Sequence, residues 1–459
     1  MGNKLSVEHR ETTKQSSKRL RDEELEDSTE ELISSPQRKK MKTTSAYIFD
    51  TLFVNGANSD IIIVALGEEW FLHKIYLRQS PYFAGMFSGN WKESAESKVA
   101  IDILDPNIDA NALRVAFGSM YKDDIELSVT SVISITAAAS LFQMDGLLQG
   151  CVEFMSENII AKTVCSFYKA GQMYCLKTVE AKCFEWLEHC LLTSQSVTLL
   201  QELSIDLMLA LVKSPQLFVM QVEMDLYSLL KQWLYIQLNP DSSCASITKL
   251  QAECDQYFSQ RAESEAMLET EAGKPYQSVF EAVRLQHVIN DIASAQILDT
   301  DRIIPESWLS SLYKQQWRKM LSMDQRMDLD PSGMTDQAFD ESCVRCGRVL
   351  HQDGEYCWRW TGFSFGFDFL IIFSSGLIFV KRNTRTQPCS AAVSLLPKRT
   401  VIVRTTAASS DSKGSLIYKK TTGKKEMRLG PDEQSLILSL DPPVRFPLYI
   451  SVNMAMVRV

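Results

Sequence analysis

Four residues near the end of the chain have types and spacing that could hold a metal. Cys343, Cys346, His351 and Cys357 run as C-x2-C-x4-H-x5-C, a donor set suited to tetrahedral zinc. The same stretch also reads as strand: alternation in "YCWRW" carries Cys357 to a packed face, and unpaired cysteine is among the most buried residue types. The packed reading is taken, with no metal and no cofactor expected. Other chemistry is scarce. The chain has five histidines, and His73, the one in a distinctive stretch, has no Cys, Ser or carboxylate at triad spacing. No glycine-rich phosphate loop is present. No catalytic residue is expected, and the chain reads as a non-enzyme.

Modification chemistry is concentrated at the front. "MGNKLS" places Gly2 behind the initiator Met and Ser6 four positions on, the pattern for N-myristoylation. "KRLR" (Lys18, Arg19, Arg21) and "RKKMK" (Arg38, Lys39, Lys40, Lys42) lie 16 residues apart, a spacing suited to a bipartite nuclear import signal or to contact with anionic lipid. A single acyl chain binds membrane only marginally, so it needs a second signal to persist. Apolar runs such as "FDFLIIF" fall short of a membrane span, so membrane contact is expected only through a lipid or a partner.

The elements around these residues divide the 459-residue chain. Residues 1–45 carry 10 Lys/Arg and 9 Asp/Glu with little apolar surface, the composition of a disordered tail. From Ala46, Ile48, Phe49, Leu52 and Phe53 share one helical face; "SDIIIVAL", Trp70 to Leu72 and "KVAIDI" read as strands, and Ser80-Pro81 as an N-cap and first-turn proline between two short helices. Three amphipathic helices follow, making an α+β unit over 46–158. Residues 159–323 show helical spacing throughout, with short breaks such as "KSPQ". Residues 324–342 read as a linker, and from Cys343 to 459 the period switches to two, an all-β sandwich or barrel. The fold class is thus α+β multidomain. A net charge of −9 argues against nucleic acid as a direct partner, and eleven scattered cysteines read as reduced thiols of an intracellular protein.

Asp60 followed by Phe71, His73, Lys74, Leu77, Ser80, Pro81, Tyr82, Phe83, Met86 and Phe87 resembles the hallmark of BTB domains. "ELSIDLMLALVKSP" with Glu223 and Trp233 beyond it is similar to a BACK helical array. "GEYCWRWTGFSFGFDFL", together with Gly2 and the basic tail, resembles the germ cell-less family over essentially the whole chain, and no repeat of Kelch type takes its place.

The resemblance implies a substrate adaptor of cullin-3 ubiquitin ligases acting in germ cells, or alternatively a non-enzymatic nuclear-envelope scaffold or co-repressor. It implies a cullin contact that aligns with Leu113, Arg114 and Val115, then Phe117 and Tyr121, in which Val115 stands where the motif calls for Glu. Leu113 and Phe117 read equally as plain helix core. It further implies a homodimer through Ile48, Phe49, Leu52 and Phe53, and protein substrates taken by the C-terminal domain, where Trp358, Trp360, Phe363 and Phe365 are mostly core. Lamina-associated proteins and transcription-factor dimerisation partners are the other implied contacts. The nucleus, at its envelope or matrix, is the implied location.

Overall fold

A computed structural model describes residues 43–89, 96–241, 246–261, 265–289, 291–324, 330–359, 369–383, 398–411 and 414–456. Gly2, Lys18, Arg19, Arg21, Arg38, Lys39, Lys40, Lys42, Trp360, Phe363 and Phe365 lie outside the described residues.

The first unit is built on a three-stranded sheet. β1 (Ile61–Ala65) pairs antiparallel with β2 (Glu68–Leu72) and parallel with β3 (Lys98–Ala100). Along β1, Ile61, Ile63 and Ala65 point inward, as a period of two requires. Leu66 and Gly67, both at positive φ, close the two-residue hairpin. Ser80 caps the Pro81–Ser88 helix by accepting from the Phe83 N–H at 3.4 Å, an arrangement that contributes roughly 1 kcal/mol. Asp109 does the same for Ala110–Gly118. Helices Val132–Leu141 and Asp145–Glu157 complete the unit.

The segment before β1 is α-helical only over Thr44–Ile48 and continues as a π-helix over Phe49–Val54. The wider turn lays Phe49 and Phe53 over Gly118, where an added Cβ would come within 3.1 Å of the Phe53 ring.

Helices continue from Val164–Met173 and Lys177–Cys190 through Ile205–Lys213 and Glu223–Leu238 to Glu306–Asp324. Glu223–Leu238 is the axis of this array, with Tyr227, Leu230, Trp233 and Leu234 fully buried. One continuous apolar core runs from Ile61 to Leu309, so the front unit and the array pack as one body.

The described part of the expected linker includes a helix. Asp336–Ser342 is a helix capped by Thr335, and its Phe339 is completely buried with Met334, Cys343, Ile402 and Ala455. Its polar composition reflects the one helical face that meets water. The β region is a sandwich and not a barrel. One sheet has the order β10-β8-β12-β4, from β10 (Lys425–Leu429), β8 (Arg399–Ser410), β12 (Leu448–Ala455) and β4 (Val344–Leu350). β8 is long enough to pair β10 with its first half and β9 (Leu416–Thr421) with its second. The other sheet runs β11-β7-β6-β5, from β11 (Gln434–Ser439), β7 (Leu377–Arg382), β6 (Phe369–Ser374) and β5 (Tyr356–Arg359). The inner faces share one core, including Phe369, Ile371, Val380, Val401, Val403 and Ile450.

Candidate partner-binding surfaces

The helix Ala110–Gly118 and the turn behind it carry the residues expected to meet cullin, and the structure corrects the placement of three of them. Leu113 and Phe117 are fully buried and Tyr121 is nearly so. Phe117 packs against Trp70, Phe83 and Phe142 in a ring cluster. The Tyr121 hydroxyl accepts from the His73 backbone N–H at 3.0 Å and lies 3.1 Å from His73 Nδ1, while His73 Nε2 lies 2.9 Å from the Ala57 carbonyl. A carbonyl only accepts, so Nε2 carries the ring proton and Nδ1 accepts from Tyr121. These three side chains hold the unit together and offer no surface. Arg114 is exposed, with its guanidinium 5.9 Å from the Trp70 ring, and Val115 is half-buried.

The exposed apolar points nearby are Leu104, 93% exposed, and Met173, 63% exposed. They stand where the loop after β3 meets the Val164–Met173 helix. Asn107 Nδ2 donates to the Tyr174 hydroxyl at 2.8 Å, and that hydroxyl donates to Asp105 at 2.9 Å. Burial, then the Asp105 carboxylate, pushes the Tyr174 phenol up to about 12, so it remains a donor at neutral pH. Leu104 and Met173 thus leave apolar surface in water beside a loop fixed by hydrogen bonds. Helical spacing in Ala110–Gly118 could not reveal it, because Leu104 lies in a loop.

Ile48, Phe49, Leu52 and Phe53, the expected dimer residues, are half-buried against their own chain. Phe53 lies 5.3 Å from the Tyr121 ring and Lys122 sits over Phe49 at 4.5 Å. Tyr47 and Val54 on the same segment stay exposed.

A second relationship fixes the sandwich to the array. Arg345, on β4, is completely buried; its Nε donates to Glu223 Oε2 at 3.1 Å, its second nitrogen pairs with Glu223 Oε1, and its third donates to the Val212 carbonyl at 3.1 Å. Burial alone would raise the Glu223 carboxyl, but the Arg345 charge and hydrogen bonds hold it below the ordinary range. Arg284 donates to the Cys343 carbonyl at 2.8 Å and His287 Nε2 to the Ser342 carbonyl at 2.8 Å. Arg404 joins Asp340 at 2.6 Å and the Pro215 carbonyl at 3.0 Å. The "KSPQ" break therefore serves as the seat for the sandwich. Gly347 permits the approach, since a Cβ there would lie 2.4 Å from the Val219 carbonyl.

The zinc-like residues separate. Cys343 packs with Phe339 and Ile402, whereas Cys346 points into the sandwich and its thiol reaches the Val452 carbonyl at 3.0 Å. Cys357 and His351 are exposed. The expected burial of Cys357 is thus corrected: on β5 it is Tyr356 and Trp358 that face the core. Among the described residues no three His, Cys, Asp or Glu side chains could hold a metal, and no helix is long and apolar enough to cross a membrane.

Residues 49–159 match the BTB/POZ domain, so the front unit defines a BTB-domain protein. The array and sandwich behind it place the chain more narrowly. It belongs to the germ cell-less family: it is 50% identical over 431 residues to germ cell-less protein-like 1 of Homo sapiens, covering 93% of this chain and 84% of that protein. It is 36% identical over 449 residues to protein germ cell-less of Drosophila melanogaster, covering 92% and 79%. Similarity to Kelch-like protein 40 of Xenopus laevis, 25% over 177 residues, covers 38% of this chain and 28% of that protein.

Proposed function

We propose that the protein is a non-catalytic adaptor of a cullin-3 RING ubiquitin ligase that recruits substrates for ubiquitination in germ cells during spermatogenesis. The observation that carries this reading is the bared Leu104–Met173 junction, held in place by Asp105, Asn107 and Tyr174, on a body to which the sandwich is fixed through the Arg345–Glu223 pair. An adaptor performs no chemistry; it raises the effective concentration of a substrate beside a loaded enzyme. A fixed geometry between the two ends serves that task. Cullin binds at Leu104, Met173, Arg114 and Val115, substrates at the sandwich, and Ile48, Phe49, Leu52 and Phe53 support a homodimer. The similarity to a Kelch-like protein supports a module shared with proteins that otherwise differ.

The test is co-purification of the full chain with the cullin-3 N-terminal domain. Micromolar binding that is lost in a Leu104→Asp, Met173→Asp double variant with an unchanged melting temperature supports the reading. An intact protein that shows no binding transfers the function to the second reading, a scaffold or co-repressor at the nuclear envelope that contacts lamina-associated or transcription-factor dimerisation partners. Val115 in place of the motif's Glu is the observation that favours this second reading.

A further inference from the structure

The helix Glu306–Asp324 is packed on one side and bare on the other. Leu309 is buried, and Trp308 and Leu312 lie against the long apolar core. Tyr313, Trp317 and Leu321 follow one another at four-residue steps, the spacing that lines side chains along one helical face, and they stay 36%, 60% and 42% exposed. Trp70, Trp186 and Trp233 are all buried. A row of large apolar side chains in water, with a tryptophan at its centre, calls for something to cover it.

The face is graded along its length. Its first half offers small side chains, Ser307, Ser310 and Ser311, and the carboxylate of Glu306, which accepts from the Ser310 hydroxyl at 3.2 Å. Asp299, on the preceding helix Ile292–Asp301, adds a second carboxylate: burial, then Asp299 and Glu306, pushes the Tyr313 phenol up, so both acids stand near that ring. The second half offers the rings and Leu321, with Lys314 and Arg318 exposed beside them. Among the described residues neither cation forms an ion pair. Small and acidic at one end, large and basic at the other, is an order that a two-fold axis reverses. A foreign helix of one charge would suit only half of it.

We propose that this face is a self-association surface, on which a second copy of the chain lays the same helix antiparallel. Ser307, Ser310, Ser311 and Lys314 stand at i, i+3, i+4 and i+7, the four corners of a hole that receives one knob from a facing helix. Trp317 of each copy enters that hole on the other, and its Arg318 reaches the other's Glu306. The contact is isologous, so every favourable pairing is made twice. One helix face buries less than the roughly 1,200–2,000 Å² of a stable interface, so the contact is weak alone and gains where copies are already held together. The homodimer through Ile48, Phe49, Leu52 and Phe53 belongs to the function proposed above; where it forms, two different two-fold contacts on one chain join copies into a row. The helix contact itself does not depend on it.

The full chain is tested by sedimentation velocity across the micromolar range. Trp317→Glu should remove a concentration-dependent species at an unchanged melting temperature. Arg318→Glu and Glu306→Arg, each of which sets like charges opposite one another at both symmetry-related points, should each weaken the association about tenfold. An equimolar mixture of those two variants should recover it, since each supplies the charge that the other lacks. With p-benzoylphenylalanine in place of Tyr313, irradiation of mixed 14N and 15N chains should join this position to residues 307–314 of a second copy. Self-association equal in the parent chain and Trp317→Glu, no recovery in the mixture, or a cross-link that falls only outside the helix overturns the proposal. Neither readout uses cullin, and the cross-link is read at this helix whatever the BTB unit does, so its failure is separate from a failure of the adaptor reading.

Discussion

Arg345 and Glu223, 122 positions apart, form a two-point ion pair with neither side chain exposed to water. Breaking such a pair by removing one partner leaves an uncompensated buried charge. Glu223→Gln should destabilise the protein by about 3–5 kcal/mol, read by urea denaturation, whereas replacing both partners by Leu and Met should cost less than either single change. Because the Glu223 carboxyl is lowered on folding, its contribution is fully present above the ordinary glutamate range and is lost as pH falls through its lowered value.

Two histidines give a second, higher acid window. Burial holds both His189 and His287 down to about 4, against an ordinary value of 6.5. Above 6.5 both states are neutral and nothing changes. Between 6.5 and 4 the unfolded chain takes up protons that the folded one refuses, so stability should fall by up to roughly 3 kcal/mol per histidine. His287→Gln, which can still donate to the Ser342 carbonyl, should flatten the melting-temperature profile across this range.

Tyr121→Phe should remove the partner of both the His73 N–H and Nδ1 while leaving the ring stack with Tyr76 in place. The expected loss is about 1–3 kcal/mol in thermal unfolding, with no new surface created. Unaltered stability would show that the Tyr121 hydroxyl is not structural.

Gly347→Ala tests the seat of the sandwich. The obstacle at 2.4 Å is a backbone oxygen and cannot rotate away, so either β4 or the Val219 segment must shift. A loss of about 1–3 kcal/mol and faster proteolysis at the seam are expected.

An acyl chain on Gly2 acting with a bipartite import signal predicts that the unaltered chain stands at the nuclear rim, that Gly2→Ala moves it into the nucleoplasm, and that neutralising Lys18, Arg19, Arg21, Arg38, Lys39, Lys40 and Lys42 keeps it out of the nucleus. Imaging of tagged full-length chains reads both. A rim signal that survives Gly2→Ala would assign the location to protein partners.

Locally determined features could be read in the sequence. Ser80-Pro81 opens a helix because the cap and the fixed proline φ act within one turn, and β1 alternates because one of its faces is buried. The helix Asp336–Ser342 escaped notice because it buries little beyond Phe339 and Cys343, too few residues to set a period. The short polar strand β10 sets no period for the same reason. The candidate surfaces were harder still. Leu113 and Phe117 carry the helical spacing of a core, and spacing alone does not say which apolar residue is left bare; Leu104, which is, has none. A charge inside the apolar strand "VRC" was the available clue to Arg345, since a buried arginine demands an acceptor, but nothing local names Glu223 as that acceptor.

The position of β12 affects how the molecule is made. It lies between β8 and β4, pairing with β4 across about a hundred residues of chain, and it is the last described strand to leave the ribosome. The BTB unit and the array, whose contacts precede it, can therefore fold during synthesis while β4 waits, its Arg345 held next to a Glu223 already in place. Translation that stops ahead of Leu448 would remove the middle of the larger sheet and leave β4 and β8 with open edges, so a premature stop late in the message should produce an aggregating chain and not a shortened, folded protein.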